Sequence, residues 1–374
     1  MTTFLDLGVS PQLNKALKEM NIIHPTEIQE KTIAQLLSSK SDFIGLAHTG
    51  TGKTAAFGLP ILQQINPDKN QVQALILSPT RELAQQIKKQ LFKFTKYSDK
   101  KIFVEAVYGG EKIDKQISNL NRTTHIIVAT PGRLIDLMKR KSIDLQHIKT
   151  LVLDEADEML SMGFKQDLNE ILEKANPEKH TWLFSATMPD GVQRIIKQYM
   201  NPNSPRVDIS DDNLINKNIT HQYITISIKE KLDKLITFLY YHKGQRGIIF
   251  DKTKAGAQNL YEKLKENGFS VGVLEGNMQQ KERDKVMRAF KNESLQLLVS
   301  TDVSARGIDV NDLSFVVHYR LPEQLEYYTH RSGRTARAGK KGVSVAFILP
   351  SEIEHMQKIQ KQLGIKFTRL IDRL

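Results

Sequence analysis

The sequence predicts an α/β protein of two consecutive domains, each with a mostly parallel sheet and helices on both faces. Its 374 residues are too many for one ordinary core and suit two. Apolar runs of strand length alternate with amphipathic helical stretches, as in parallel sheets. The alternation lapses once, at residues 201–218, where Pro, Asn, Ser and Asp cluster. We therefore expect domains at residues 1–208 and 218–374, joined by a short linker at 209–217.

The predicted strands are nearly continuous apolar runs, which is typical of strands buried on both faces. In the first half they are "DFIGLA", "ALILSP", "HIIVAT", "TLVLD" and "TWLFS". In the second half they are "RGIIFD", "VGVLEG", "LQLLVS", "SFVVHY" and "GVSVAFIL". Helical periodicity is clearest in "RELAQQIKKQLFKF" and "GAQNLYEKLKENG". Because open parallel sheets bind ligands beyond the carboxyl ends of their strands, a cleft between the domains is the expected site.

The composition restricts the possible classes of protein. The absence of cysteine excludes disulfides and thiolate metal sites. No apolar stretch reaches membrane-spanning length and the start lacks a signal-peptide pattern, so we expect a soluble, cytoplasmic protein. The net charge is +12, yet residues 151–200 hold 5 basic and 9 acidic side chains. A basic surface around an acidic pocket indicates a polyanionic partner near a metal site, with ordinary solubilising lysines as the alternative.

A phosphate-binding loop is predicted at "AHTGTGKT", residues 47–54, between an apolar strand and a helical pattern. Gly50 and Gly52 would let backbone N–H groups wrap a phosphate, and Lys53 would reach its outer oxygens. The Thr54 hydroxyl could bind Mg²⁺. The strict pattern has glycine where Ala47 stands, so an ordinary glycine turn is the alternative interpretation.

Four carboxylates follow the strand in "TLVLDEADEML", residues 150–160. A solvated helix start is the simple explanation, because acidic side chains favour a helix N-terminus. A phosphate-binding loop, however, needs a second acidic strand end to hold Mg²⁺. We therefore assign Asp154 to the metal and Glu155 to the attacking water. Asp157 and Glu158 could be only first-turn helix acids, an interpretation that we prefer for Glu158.

Seven motifs together resemble the DEAD-box ATP-dependent RNA helicases. They are "AHTGTGKT", "PTRELA" (79–84), "TPGR" (130–133), "DEAD" (154–157), "SAT" (185–187), "STDVSARGID" (300–309) and "HRSGRTAR" (330–337). Their order and spacing match the family over nearly the whole chain. "HPTEIQ", residues 24–29, resembles the family's adenine-reading segment, although Asn21, Ile22 and Glu27 depart from its commoner residues. The resemblance implies two tandem RecA-like domains.

The resemblance also implies an ATP site. Catalysis falls to Lys53, Asp154, Glu155 and the arginine fingers Arg334 and Arg337, whose spacing of three suggests one helical face. Gln29 would select adenine, because an amide pairs with both a donor and an acceptor on that base. The remaining nucleotide contacts are Phe4, Thr26, Thr49, Gly50, Thr51, Gly52, Thr54 and Asp309, with Mg²⁺ on Thr54 and Asp154.

Contacts to RNA are implied on the side away from ATP. They are Thr80, Arg81, Gly109, Gly110, Thr130, Arg133, Gln280, Arg283 and Thr301. Such residues recognise phosphate and sugar rather than bases, so little sequence specificity is expected. The residues expected to couple the domains are Asp157, Ser185, Thr187, His330 and Arg331. Asp302 could merely cap a turn, and Glu275 stands where the family often has His.

The sequence thus predicts a monomeric RNA helicase that uses ATP and Mg²⁺, closes its cleft on RNA and unwinds short duplexes non-processively. An ATP-gated RNA clamp would use the same motifs. A DNA helicase or translocase is a second alternative, disfavoured by "DEAD" and by the adenine-reading segment.

Overall fold

The computed structural model describes residues 2–48, 50–209, 218–276, 278–305, 313–336 and 340–370. The chain divides into two compact units, Met1–Asp212 and Asn213–Leu374. Most of the expected linker, residues 210–217, lies outside the described residues. Among the helices described, none has the length and apolar character needed to cross a membrane.

The first unit alternates strands with helices from β1 onward. Its strands are β1 Phe43–Leu46, β2 Ala74–Leu77, β3 Val104–Val107, β4 Ile126–Ala129, β5 Thr150–Asp154, β6 His180–Ser185 and β7 Arg206–Asp208. Its α-helices are α1 Pro11–Glu19, α2 Glu27–Ser38, α3 Lys53–Gln64, α4 Arg81–Phe94, α5 Ile113–Leu120, α6 Pro131–Lys139, α7 Ala156–Ser161, α8 Lys165–Lys174 and α9 Asp190–Tyr199. A 3₁₀ turn, Thr95–Tyr97, follows α4.

The strands of the first unit form a parallel sheet in the order β3-β4-β2-β5-β6-β1-β7. Successive residues of a strand point to opposite faces, so the sheet has two cores. Val152 and Trp182 pack on one face with α1–α4, and Leu151 and Leu183 pack on the other with α6–α9. This double covering explains why the central strands are apolar throughout.

The second unit repeats this plan with the sheet order β10-β11-β9-β12-β13-β8-β14. Its strands are β8 Ile219–Thr225, β9 Gly247–Phe250, β10 Val271–Leu274, β11 Leu297–Ser300, β12 Phe315–His318, β13 Gly342–Ile348 and β14 Phe367–Arg369. Its α-helices are α10 Lys231–Tyr241, α11 Lys254–Glu266, α12 Gln280–Lys291, α13 Asp302–Ala305, α14 Leu325–Ser332 and α15 Ile353–Leu363, with a 3₁₀ turn at Pro350–Glu352 before α15.

All ten predicted strands are confirmed, and the two clearest helical stretches are α4 and α11. The predicted strands do not include β3, β7, β8 and β14. Three of these lie at sheet edges and have only three or four residues. The other, β8, mixes apolar with polar residues in "ITHQYIT" and is only partly buried. Short or half-polar strands lack the continuous apolar signal on which the prediction depended.

Candidate ATPase site and nucleic-acid surface

Apart from the adenine-reading segment at 24–29, which precedes β1, the motif-bearing loops of the first unit follow strands at the carboxyl edge of its sheet. Three neighbouring strands, in the order β5-β6-β1, carry the groups assigned to ATP. The carboxylates lie at the end of β5, the hydroxyls at the end of β6, and the phosphate-binding loop after β1. The segments assigned to RNA follow the other three neighbours, β3-β4-β2. The sheet order thus gathers one group of motifs at each half of this edge.

The loop at residues 47–54 closes on itself around its lysine. Lys53 begins α3, is only 6% exposed, and donates from Nζ to the Ala47 carbonyl at 2.8 Å. Gly50 and Gly52 have φ of +84° and +94°, in the left-handed region that glycine adopts without strain. A lysine held over backbone N–H groups at a helix start forms a cradle for phosphate. Thr54, in the first turn of α3, is half-buried behind it.

The adenine-reading segment is joined directly to this loop. Gln29 accepts from the Thr26 N–H and donates from Nε2 to the Gly52 carbonyl, both at 3.0 Å. Thr26 caps α2 and donates from Oγ1 to the Thr51 carbonyl at 2.7 Å. A Cβ at Gly52 would lie 2.3 Å from Gln29 Nε2, so only glycine permits this approach. The Gln29 amide keeps a further hydrogen and lone pair with which to meet a base edge.

Phe4, which the resemblance assigns to the nucleotide, lies in a core of the first unit. Its side chain is fully buried and belongs to the core that contains Leu13, Leu17 and Ile28. Its ring anchors the N-terminal turn against α1 and α2, and its contact with the nucleotide stays a prediction.

Asp154 is the best-placed metal ligand in the described structure. It ends β5, is 3% exposed, and its Oδ1 is buried without a hydrogen-bond partner. Burial raises the pKa of this carboxyl to about 7, while the nearby Lys53 ammonium opposes the rise. An orphaned buried carboxylate oxygen fits a cation, because binding would satisfy it. Among the described residues no group of three or more acidic or histidine side chains could hold a metal alone, so phosphate and water oxygens would complete a Mg²⁺ shell.

Glu155 has an unusual backbone. Its φ of +54° and ψ of +54° place a non-glycine residue in the left-handed region at the N-cap of α7. Such conformations cost about 1–3 kcal/mol and cluster at active sites. The sharp turn after β5 aims the Glu155 side chain away from the core, where it is partly exposed.

The acidic motif and "SAT" form one hydrogen-bonded network within the first unit. Asp157 Oδ2 accepts from the Thr187 N–H at 2.9 Å and from its hydroxyl at 2.8 Å. The Asp157 N–H donates to Ser185 Oγ at 3.2 Å, and Ser185 donates to the Thr187 carbonyl at 2.8 Å. Glu158 is 5% exposed, so it lies in the first turn of α7 but not in solvent as a simple helix-start acid would.

The segments assigned to RNA in the first unit share a second network. Thr80 and Thr130 are the N-caps of α4 and α6. The Arg81 guanidinium lies 4.7 Å from the centre of the Tyr108 ring, just before the exposed turn at Gly109 and Gly110.

Arg133 belongs to the same network and is held by two residues that the sequence analysis did not identify. Its guanidinium donates to Gln116 Oε1 at 2.8 Å and to the Glu111 carbonyl at 3.0 Å. These residues follow the glycine pair, but no motif marks them.

The corresponding residues of the second unit also lie together. Arg283 donates to the Ser304 carbonyl at 2.5 Å, and Thr301 donates to Ser304 Oγ at 3.0 Å. Gln280 begins α12 and donates to Asp284 at 2.7 Å. The loop after β11 and the start of α12 therefore form one polar surface.

Arg331, one of the residues expected to couple the domains, is buried in an ion pair of the second unit. It is 2% exposed and pairs bidentately with Asp302, at 2.5 and 2.7 Å, while Nη1 donates to the Arg320 carbonyl at 2.7 Å. These bonds hold the guanidinium within the second unit, and the expected role in coupling the domains stays a prediction. Its partner Asp302 is the residue that, from the sequence, could merely cap a turn.

Arg334 lies outside any described helix, so the helical face predicted for it and Arg337 stays a prediction. α14 ends at Ser332, Gly333 is its C-cap, and Arg334 lies in the turn beyond, partly exposed. Thr335 then bridges to Leu313, which draws the chain away from the helix axis. His330 is in the last turn of α14. Thr49, Asp309 and Arg337 lie outside the described residues.

A phosphate cradle after β1, an orphaned acid after β5 and a second α/β unit define a P-loop nucleotide hydrolase. Two family models match the chain: DEAD/DEAH box helicase over residues 26–195 and helicase conserved C-terminal domain over 230–339. The chain is 42% identical to the DEAD-box ATP-dependent RNA helicase CshA of Geobacillus kaustophilus, covering 99% of this chain and 78% of the relative. It belongs to the DEAD-box helicase family.

Other relatives and solved structures are consistent with this. The ATP-dependent RNA helicase CshA of Limosilactobacillus reuteri is 41% identical, over 98% of this chain and 73% of the relative. Saccharomyces cerevisiae Dbp5 bound to RNA and ADP BeF3 superposes with a TM-score of 0.90 at 34% identity, covering 99% of this chain and 96% of that one. Mss116p bound to single-stranded RNA and AMP-PNP superposes with a TM-score of 0.87 at 32% identity, covering 98% of this chain and 79% of that one. The tandem RecA-like fold is thereby confirmed.

Proposed function

We propose that this chain hydrolyses ATP in response to RNA and uses the cycle to separate short RNA duplexes locally. The observation that carries the proposal is the division of one sheet edge. A phosphate cradle with an orphaned carboxylate occupies one half, and a surface of Arg, Thr and glycine-turn groups occupies the other. The relatives named as RNA helicases, and the neighbours solved with RNA and nucleotide, support the same assignment.

The residues of the first unit supply binding and hydrolysis in this proposal. Gln29 holds the adenine edge, and the 47–54 loop with Lys53 holds the phosphates. Asp154 and Thr54 would hold Mg²⁺, which neutralises the charge that develops between the phosphates. Glu155 orients the attacking water and takes its proton.

The second unit completes the reaction in this proposal. Arg334 and Arg337 would stabilise charge on the transferred phosphoryl group after the units close, and Asp309 would contact the ribose. The Asp157, Ser185 and Thr187 network and His330 would link hydrolysis to opening and closing. A bent RNA strand across both units would destabilise a short duplex without processive movement. The cytoplasmic location and the monomeric state stay predictions.

The decisive experiment measures steady-state phosphate release with no nucleic acid, with single-stranded RNA and with DNA of the same sequence. We expect RNA, and not DNA, to stimulate phosphate release strongly. Equal stimulation by DNA would contradict the RNA assignment and favour a DNA translocase.

A second measurement on the same samples separates a helicase from an ATP-gated clamp. Strand release from a short RNA duplex is expected from the helicase. Retention of single-stranded RNA without strand release would identify the clamp.

A further inference from the structure

A groove lies beside the segments assigned to RNA, along the open edge of the first sheet. It has a volume of about 430 Å³, and its walls come from α4 on one side and α5 on the other. Its floor is β3, the terminal strand of that sheet. Its lining includes Tyr108, Glu111 and Gln116, which contact Arg81 and Arg133, but the rest of the groove has no role in the function proposed so far.

One stripe of α4 connects the groove to the proposed RNA surface. Arg81, Gln85, Lys88 and Phe92 recur at intervals of three and four residues, so they share one helical face. The stripe starts at the Arg81 and Tyr108 contact, where Gln85 also donates to the Tyr108 hydroxyl at 2.7 Å. Eleven residues of helix separate its two ends, a rise of about 16 Å. A strand leaving Arg81 along this stripe would reach Phe92 within a few nucleotides.

Phe92 has the environment of a stacking platform. Its side chain is 71% exposed, although single exposed apolar residues are common on protein surfaces. Lys88 and Lys89, four and three residues before Phe92, are its neighbours on the surface of α4, and Lys93 projects about 100° further round the helix. Lys88 pairs with Glu105 at 2.8 Å, whereas Lys89 and Lys93 form no ion pair with any described residue.

The local charge favours a polyanion over a protein segment in this groove. Its lining holds Lys88, Lys89 and Lys115 against Glu105 and Glu111, and Lys93 next to Phe92 adds a further positive charge. Lysines around an exposed aromatic ring are the pattern by which proteins hold single-stranded nucleic acid, through phosphate charge and base stacking. We propose that the groove extends the RNA track of the first unit, with an unpaired base stacked on Phe92 and its phosphates near Lys89 and Lys93. The proposal rests on the RNA-binding function proposed above.

The test measures affinity against RNA length for the full chain with a non-hydrolysable ATP analogue. Oligouridylates from about 4 to about 16 nucleotides cover the usual single-strand site sizes. The affinity of the wild type should rise at the length that first reaches Phe92. Phe92→Ala should lose about tenfold on longer strands and almost nothing on the shortest. Tyr241→Ala, at a residue 68% exposed in the second unit, is the matched control and should behave as wild type.

A second variant reports position directly. The only tryptophan of the chain, Trp182, is 1% exposed, so Phe92→Trp adds an emitter that RNA can reach. Long oligouridylates should quench the added fluorescence, and the shortest should not. An unchanged length dependence in Phe92→Ala, or no quenching, would overturn the RNA assignment and leave a protein segment paired with the edge of β3 as the occupant. Failure of the proposed function is distinct, because then even short RNA would not stimulate ATP hydrolysis.

Discussion

At the scale of single residues, the ATP site depends on two backbone conformations that side chains normally avoid. Gly52 has a left-handed backbone and no room for a Cβ beside Gln29. Glu155 has a left-handed backbone although it carries a long side chain. The first conformation is free for glycine, while the second is strained and must be held by β5 and α7. The turn ends the strand and leaves the Glu155 side chain partly exposed at the carboxyl edge of the sheet.

Glu155→Gln should separate binding from chemistry. The amide preserves the shape and the turn but cannot accept a proton from water, so turnover should fall by about 10²- to 10⁴-fold. ATP and RNA should remain bound together in a long-lived complex. Steady-state phosphate release, with nucleotide affinity measured alongside, tests this. Near-normal multiple turnover would remove Glu155 from the role of base.

Gln29→Ala should lose most of the preference for ATP over GTP. The discrimination depends on an amide paired with the adenine edge, and an unpaired base edge is strongly rejected. Loss of the bond to the Gly52 carbonyl should also loosen the loop and weaken both nucleotides somewhat. Competition binding measures the ratio, which does not depend on that general weakening. An unaltered ATP to GTP ratio would show that adenine is read elsewhere.

At the scale of elements, the apolar strands and the motifs at their ends could be predicted from the sequence. Each central strand is buried on both faces, and a parallel sheet places its loops at one edge, so local patterns carry the information. Arg331 could not be placed, because its partner Asp302 is 29 residues away and no local pattern links them. Nor could the burial of Phe4, which depends on how α1 and α2 pack.

Arg331→Met should destabilise the second unit. It leaves the Asp302 carboxylate, only 18% exposed, without its bidentate partner, and breaking a buried ion pair costs about 3 kcal/mol or more. Urea unfolding measures the loss. The double variant Arg331→Met with Asp302→Asn removes the uncompensated charge and should recover part of the stability. If stability is unchanged while RNA-dependent ATP hydrolysis is lost, Arg331 instead couples the domains.

Acid should destabilise the second unit through two buried histidines. His221 contacts the Tyr328 hydroxyl at 2.8 Å, and His318 contacts Ser344 Oγ at 3.0 Å. Burial lowers the pKa of His221 to about 4 and that of His318 well below its usual value. The unfolded chain binds these protons near pH 6.5, so stability is present above that pH and falls as the pH drops toward 4.

For His221 alone the loss across this window is about 3 kcal/mol. Urea unfolding at pH 7.5 and pH 5 should show about 2 kcal/mol of this loss, because pH 5 is reached before the full window is crossed. His221→Gln should reduce the difference between the two pH values, and His147→Gln, at an exposed site, should not. An equal pH dependence in the wild type and His221→Gln would exclude His221 as its source.

At the scale of the whole molecule, the groups assigned to catalysis are divided between two units that each have their own sheet and cores. Gln29, Lys53, Asp154 and Glu155 belong to the first unit, and Arg334 belongs to the second. Binding and full hydrolysis should therefore be separable by dividing the chain.

A fragment of residues 1–212 should fold and bind nucleotide but hydrolyse it slowly even with RNA. It lacks the arginine fingers, and one such finger is typically worth about 10³ to 10⁵ in rate. Arg334→Ala in the full chain should resemble it, with nucleotide affinity in the absence of RNA nearly unchanged. Circular dichroism establishes that the fragment is folded, and phosphate release with saturating RNA measures its rate. Hydrolysis by the fragment at the stimulated rate of the full chain would contradict the shared site and both arginine assignments.

The strand order of the first sheet also bears on how such a protein can diversify. The loops assigned to ATP follow β5, β6 and β1, and those assigned to RNA follow β3, β4 and β2. The two sets of loops are therefore neighbours only where β2 lies beside β5. Loops tolerate substitution and insertion better than the strands that carry them. The loops assigned to RNA could therefore change during evolution, or the groove could lengthen beyond Phe92, without altering the ATP site. Proteins with this fold could in this way bind different RNAs while hydrolysing ATP at an unchanged site.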